Sequence, residues 1–161
     1  MWFTVEGIQG GTDAYCKHLE SKDIDPEDPW WKVDYIKDQN TQIEDIDPKL
    51  EKSKILNRSW YFRRSAGQPA TIALSYGMIS AAVAELTGGI LRFDDGAWDH
   101  KRWPAHSKDF LDWYFRPDKA LTTDNKEWAQ ICIEGIKDEI NTPDNVFANK
   151  NRNWLQKFLG K

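Results

Sequence analysis

Cysteine is scarce in this chain: Cys16 and Cys132 are the only two among 161 residues, far apart and without metal-ligand spacing around them. That count excludes a disulfide-dense scaffold and suits a reducing compartment as well as it suits one bridge. Three histidines (His18, His100 and His106) leave few candidates for a general base. No G-x-S-x-G elbow surrounds any serine. Gly10-Gly11 and Gly88-Gly89 are too short for a phosphate cradle, and no Lys-Ser/Thr follows either. No internal repeat is present. The opening residues lack the basic region and apolar run of a secretory signal. One charge-free run, residues 66–84, contains Gln68, Pro69, Thr71, Ser75, Gly77 and Ser80. A bilayer span takes about 20 predominantly apolar residues, so a buried helix is the better reading. The expectation is a cytoplasmic address and no membrane partner.

What is present describes one globular domain over residues 1–161: 40% hydrophobic and 30% charged, long enough to bury a sizeable core. The net charge of −4 is unevenly placed. Residues 20–51 hold eleven acidic residues against four lysines, −7 in all, which leaves +3 for the rest. Such a segment repels phosphate backbones and attracts basic protein surfaces. A solvated surface is the commoner role of any single charge run.

Along the chain, β-branched and aromatic positions over residues 2–8 predict a first strand. After Gly10-Gly11, Thr12 is placed to cap a short helix carrying Tyr15, Cys16 and Leu19. From residue 24 to 48, Asp25-Pro26, Asp28-Pro29 and Asp47-Pro48 break any regular pattern, because a residue before proline avoids helical geometry. Residues 58–64 alternate as a strand, with Trp60 and Phe62 on one face and Tyr61 and Arg63 on the other. The strongest helix runs over residues 69–86, with Pro69 in its first turn and Gly88 as a left-handed cap. It is apolar nearly all round, so it should be covered on most sides, and Ala73, Gly77, Ala81 and Ala84 admit close backbone approach. A short strand over residues 90–93 precedes the Asp94-Asp95-Gly96 turn. Ser107 is placed to cap a helix that Pro117 stops. Asp124 and Glu127 have capping-box spacing ahead of a face of Trp128, Ile131, Cys132, Ile136 and Ile140. The pattern predicts an α+β domain: a small antiparallel sheet packed against a central apolar helix, with helices in the C-terminal third.

The best grouping for metal or acid–base chemistry is Asp94, Asp95, Asp99 and His100, with His106 nearby. Gly96 comes too early for a calcium loop, and Pro104 prevents His100 and His106 from sharing a helix face. A tight turn explains the carboxylates better. A metal-assisted hydrolase centred on these four residues is the alternative reading. Cys16 with His18 does not define a nucleophile–base pair, and Cys16 on a helix flank is more often core. Arg63-Arg64 beside Trp60 and Tyr61 resembles a nucleic-acid stacking surface, but net acidity and the lack of a wider basic patch weigh against it. Nine tryptophans are mostly core by expectation, while Trp30, Trp31, Trp98 and Trp103 are the candidates for partial exposure. Aromatic anchors mixed with carboxylates fit a basic protein partner. Sugar stacking stays open.

The stretch AELTGGILRFDDGAWDHKRWPAHSKDFLDWYFRP (residues 84–117) and, less, RSWYFRRSAGQPA (residues 58–70) give a resemblance. Across GG, a strand, DDGAWD, a proline and a helix ending in YFRP, the chain resembles small immunity proteins of bacterial polymorphic-toxin systems. These two stretches cover under a third of the chain, and the first 57 residues carry none of the likeness. The resemblance implies a non-enzymatic inhibitor that binds a cognate toxin domain, often over its active site, with no cofactor or metal. It names no particular toxin. If the target is a nuclease, Asp25, Glu27, Asp28, Asp34, Glu44, Asp45 and Asp47 would act as a polyanion decoy while Trp30, Trp31 and Tyr35 supply desolvated contact. Asp94, Asp95, Trp98 and Asp99 are the further contact candidates. No nucleic-acid partner is expected, and a homo-oligomer or a structural adaptor role stays open. Purified protein should be metal-free by elemental analysis; a stoichiometric ion that is lost in Asp95→Ala would establish the hydrolase instead.

Overall fold

The computed structural model describes residues 1–18, 46–55, 58–63, 65–92 and 102–141. Three antiparallel strands form one sheet in the order β1-β2-β3: β1 Trp2–Phe3, β2 Thr12–His18 and β3 Arg58–Arg63. The helices are α1 Ile46–Ile55, α2 Ala70–Thr87, α3 Ser107–Trp113 and α4 Thr123–Asn141, with a 3₁₀ turn at Pro117–Lys119. Helix α2 packs against β3 on one side and against α3 and α4 on the other. The α+β architecture, with an apolar helix against a small antiparallel sheet and helices late in the chain, is the one the pattern predicts.

Several elements differ from their sequence reading. Thr12–His18 is a strand and not a short helix, because Thr12 and Asp13 pair with β1 while all of Asp13 to His18 pairs with β3. Cys16, expected as core, is therefore on a strand and exposed. The first strand closes after Phe3. Asp47-Pro48, read as a loop breaker, instead lies in the first turn of α1, where a missing N–H breaks no helical bond. The expected strand at residues 90–93 contributes, among the described residues, one bridge between Leu91 and Ala105. Ser107 is buried as the first residue of α3 rather than its cap. Helix α4 begins two residues earlier than the capping box placed it, and Thr122 Oγ1 accepts the Asn125 N–H at 3.2 Å. Its buried face is Ala129, Cys132, Ile136 and Ile140, and Ile131 is exposed.

Helix α2 shows why small residues matter. Gly88 closes it in the left-handed conformation at φ 64°, as its position predicts. Pro69 supplies no side-chain cap, so the N-terminal amides are satisfied from α4: Ala70 and Thr71 donate to the Glu139 carboxylate at 2.6 and 3.0 Å. A carboxylate there also complements the helix dipole. The buried side of α2 runs through Ile72, Ala73, Leu74, Gly77, Ala81 and Ala84, but Leu86 is exposed, so the helix is covered on fewer sides than its composition implies.

Against that face lies an aromatic cluster. Trp103 packs on Phe110 and Trp113 at 5.4 and 5.6 Å, and Phe110 lies 4.3 Å from Tyr114. Phe115 then bridges Tyr114 and Trp128 at 4.8 and 5.2 Å. The Tyr114 hydroxyl donates to Ala73 O at 2.6 Å and accepts the Gly77 N–H at 3.1 Å. These two backbone groups are an i, i+4 pair, so the phenol oxygen bridges a rung of the helical ladder. A Cβ on Gly77 would stand 2.1 Å from the Tyr114 ring, a separation no packing allows. Tyr114→Phe should cost about 1–3 kcal/mol through two buried backbone groups that lose their bridge. Gly77→Ala should cost about 1–3 kcal/mol by overpacking. In a Tyr114→Ala background the same Gly77→Ala change should cost far less, and denaturant melts that show simple additivity would refute this contact.

Candidate functional site

Alternation along the strands divides the sheet into two faces. The inner face holds Thr12 and Ala14, both buried, with Trp60 and Phe62 half-buried and stacked at 6.3 Å between ring centres. The outer face collects Trp2 from β1, Asp13, Tyr15 and Lys17 from β2, and Ser59, Tyr61 and Arg63 from β3. Trp2 is 53% exposed, Tyr15 53% and Tyr61 51%, which makes this the described surface with the most open aromatic area on one element.

Register fixes how these groups sit. Asp13 stands between Trp2 and Arg63, and Tyr15 stands opposite Tyr61 in the next outward row. Lys17, opposite Ser59, closes the far end. Neighbouring rows on one face are about 6.7 Å apart, twice the rise per residue. Gly11 continues the face beyond Asp13. A Cβ there would lie 2.6 Å from the Trp2 indole and 2.4 Å from Phe3 O, so only glycine leaves the indole room over β2. Gln68 anchors this end, its Oε1 accepting the Gly11 N–H at 2.9 Å. Lys17, Arg63 and Asp13 give the outer face a formal charge of +1 in a chain of −4.

Most candidate contact residues lie outside the described residues: Asp25, Glu27, Asp28, Trp30, Trp31, Asp34, Tyr35, Glu44, Asp45, Asp94, Asp95, Trp98 and Asp99, together with His100 of the alternative metal site. Asp47 lies in the first turn of α1, and its side chain is outside the description. Trp103, a candidate for exposure, is 6% exposed inside the aromatic cluster. Trp2 and Tyr15 escaped the sequence reading, because the signal lies in strand register and not in local spacing. Among the described residues, Asp112 is the titrating group with a clear perturbation. Its pKa is lowered, first by the hydrogen bonds from Lys119 at 2.5 and 2.6 Å, so that contact belongs to the α3–3₁₀ corner and not to the sheet face.

Fold and face together define a small α+β domain with an aromatic, weakly cationic sheet surface. No protein-family model matches the chain, and neither a curated protein nor a solved structure does. Gly11→Ala should displace the Trp2 indole and leave α2 intact. The expected readout is a shifted tryptophan emission with unchanged helical circular dichroism; an unchanged emission spectrum would show that Gly11 does not seat the ring.

Proposed function

We propose that the chain is a non-enzymatic protein that binds and neutralises a cognate secreted bacterial toxin domain. Charge segregation carries this reading: residues 20–51 hold −7 and the remaining sequence +3. A segment so charged, with Trp30, Trp31 and Tyr35 inside it, suits a basic protein surface such as a nuclease channel. Trp103, Phe110, Trp113, Tyr114 and Phe115 of the stretch that carries the family resemblance are core, so these five rings offer no contact to a partner. Opposite charges across the contact speed encounter and make it salt-dependent.

The test is protection of cells that express the toxin domain encoded beside this gene. With the purified pair, replacing Asp25, Asp28, Asp34 and Asp45 by asparagine should slow association at least tenfold at low salt and flatten its salt dependence. Association that stays equally fast and equally salt-dependent would sink the decoy mechanism, and absence of protection would sink the function itself.

A further inference from the structure

We infer that the outer sheet face is a binding surface for single-stranded nucleic acid, separate from the contact proposed for the toxin. A single strand offers a flat ring and one phosphate per nucleotide, repeated along a flexible chain. Proteins that hold it without reading sequence combine exposed aromatic rings, on which bases stack, with cations that meet the phosphates. Antiparallel sheets do this well, since alternate residues put rings and cations on one face in parallel rows.

This face has those parts. Tyr15 and Tyr61 form one row of open rings, and Trp2 belongs to the neighbouring row, about 6.7 Å along β2, with its indole over Gly11. Arg63 stands in that row across Asp13, and Lys17 stands beyond the tyrosines, so a cation flanks the tyrosine pair on each side. Lys17 and Arg63, more than 40 residues apart in sequence, are thus brought to one face by β2 and β3. Asp13 is the opposing charge, in register with Arg63. The chain's net −4 repels a polyanion at long range, but at physiological ionic strength that field is screened within about 8 Å, and the face's own groups decide.

Fluorescein-labelled (dT)12 and (rU)12 titrated into the intact chain test this by anisotropy, with a heparin fragment as a polyanion that lacks bases. Saturable binding of an oligonucleotide with quenching of tryptophan emission is expected. The Tyr15→Thr/Tyr61→Thr double variant keeps strand-forming residues and removes the rings, and should bind at least tenfold more weakly while its melting curve shows it folded. Lys17→Gln and Arg63→Gln should each reduce the slope of log affinity against log salt by about 0.7. Asp13→Asn should tighten binding. The DNA and RNA arms separate the two possible sources. No saturable binding, heparin binding as tight as the oligonucleotides, or indifference to loss of the tyrosines would overturn the inference. So would a double variant that abolishes toxin protection while neither oligonucleotide binds, since the face would then belong to a protein contact. Because the probes contain no toxin, either proposal can fail without the other.

Discussion

The hydroxyl of Tyr114, set between Ala73 O and Gly77 N–H, is the contact on which the helical half depends. It holds α3 against α2 at the one position of that face without a Cβ. Immediately after it the chain turns through Phe115, a non-glycine residue at φ 58°. A left-handed residue with a Cβ is strained by roughly 1–2 kcal/mol. The ring of Phe115 is buried between Tyr114 and Trp128, and that packing holds the turn in place. The same turn sets the path of α4, which brings Gly135 against Ala70 and Glu139 onto the uncapped amides of α2. One phenol, one glycine and one strained turn therefore determine how the most apolar helix is both packed and capped.

Much of this fold was legible where the signal is local. Gly88 as a left-handed cap, Pro69 at the entry of α2, and the alternation of Trp60, Tyr61, Phe62 and Arg63 depend on backbone geometry within a few residues. Thr12 to His18 shows where such reasoning stops. Its threonine start and the spacing of Tyr15, Cys16 and Leu19 satisfy a helix rule, yet pairing on both sides outweighs a propensity difference of a few tenths of a kcal/mol per residue. The caps of α3 and α4 shift by one or two residues for a similar reason. Ser107 falls inside α3 behind His106, and Thr122 rather than Asp124 meets the first amides of α4, because the tertiary structure sets where each helix starts.

Burial was less legible than secondary structure. Six aromatic residues between Trp98 and Phe115 satisfy a core and a binding surface equally well by composition. The decision lies in the facing element: α2 offers alanines and a glycine, which leave a hollow that only large rings fill. Conversely, the open rings Trp2, Tyr15 and Tyr61 are isolated in sequence and become neighbours through strand register. The acidic character of residues 20–51 is displayed by composition alone, since charge, unlike ring placement, needs no register to be counted.

The two tyrosines of the outer face have a sufficient structural role, because a cross-strand pair stabilises a narrow sheet by about 0.2–1 kcal/mol. Trp2 does not fit that account. It sits on a two-residue edge strand, half its surface is open, and its indole lies over Gly11, where Phe3 O also crowds the position. Gly11 stands one residue before β2 and gives up a side chain that would otherwise pack. That loss makes a seat for a ring that stays half open, and Gln68, two residues before α2, holds the Gly11 N–H. Phe3 O bars any Cβ at position 11 whatever side chain stands at position 2, so the backbone requires the glycine and the indole occupies the room it leaves. Half of that indole stays open, which sets the outer face apart from a surface of charged and polar side chains.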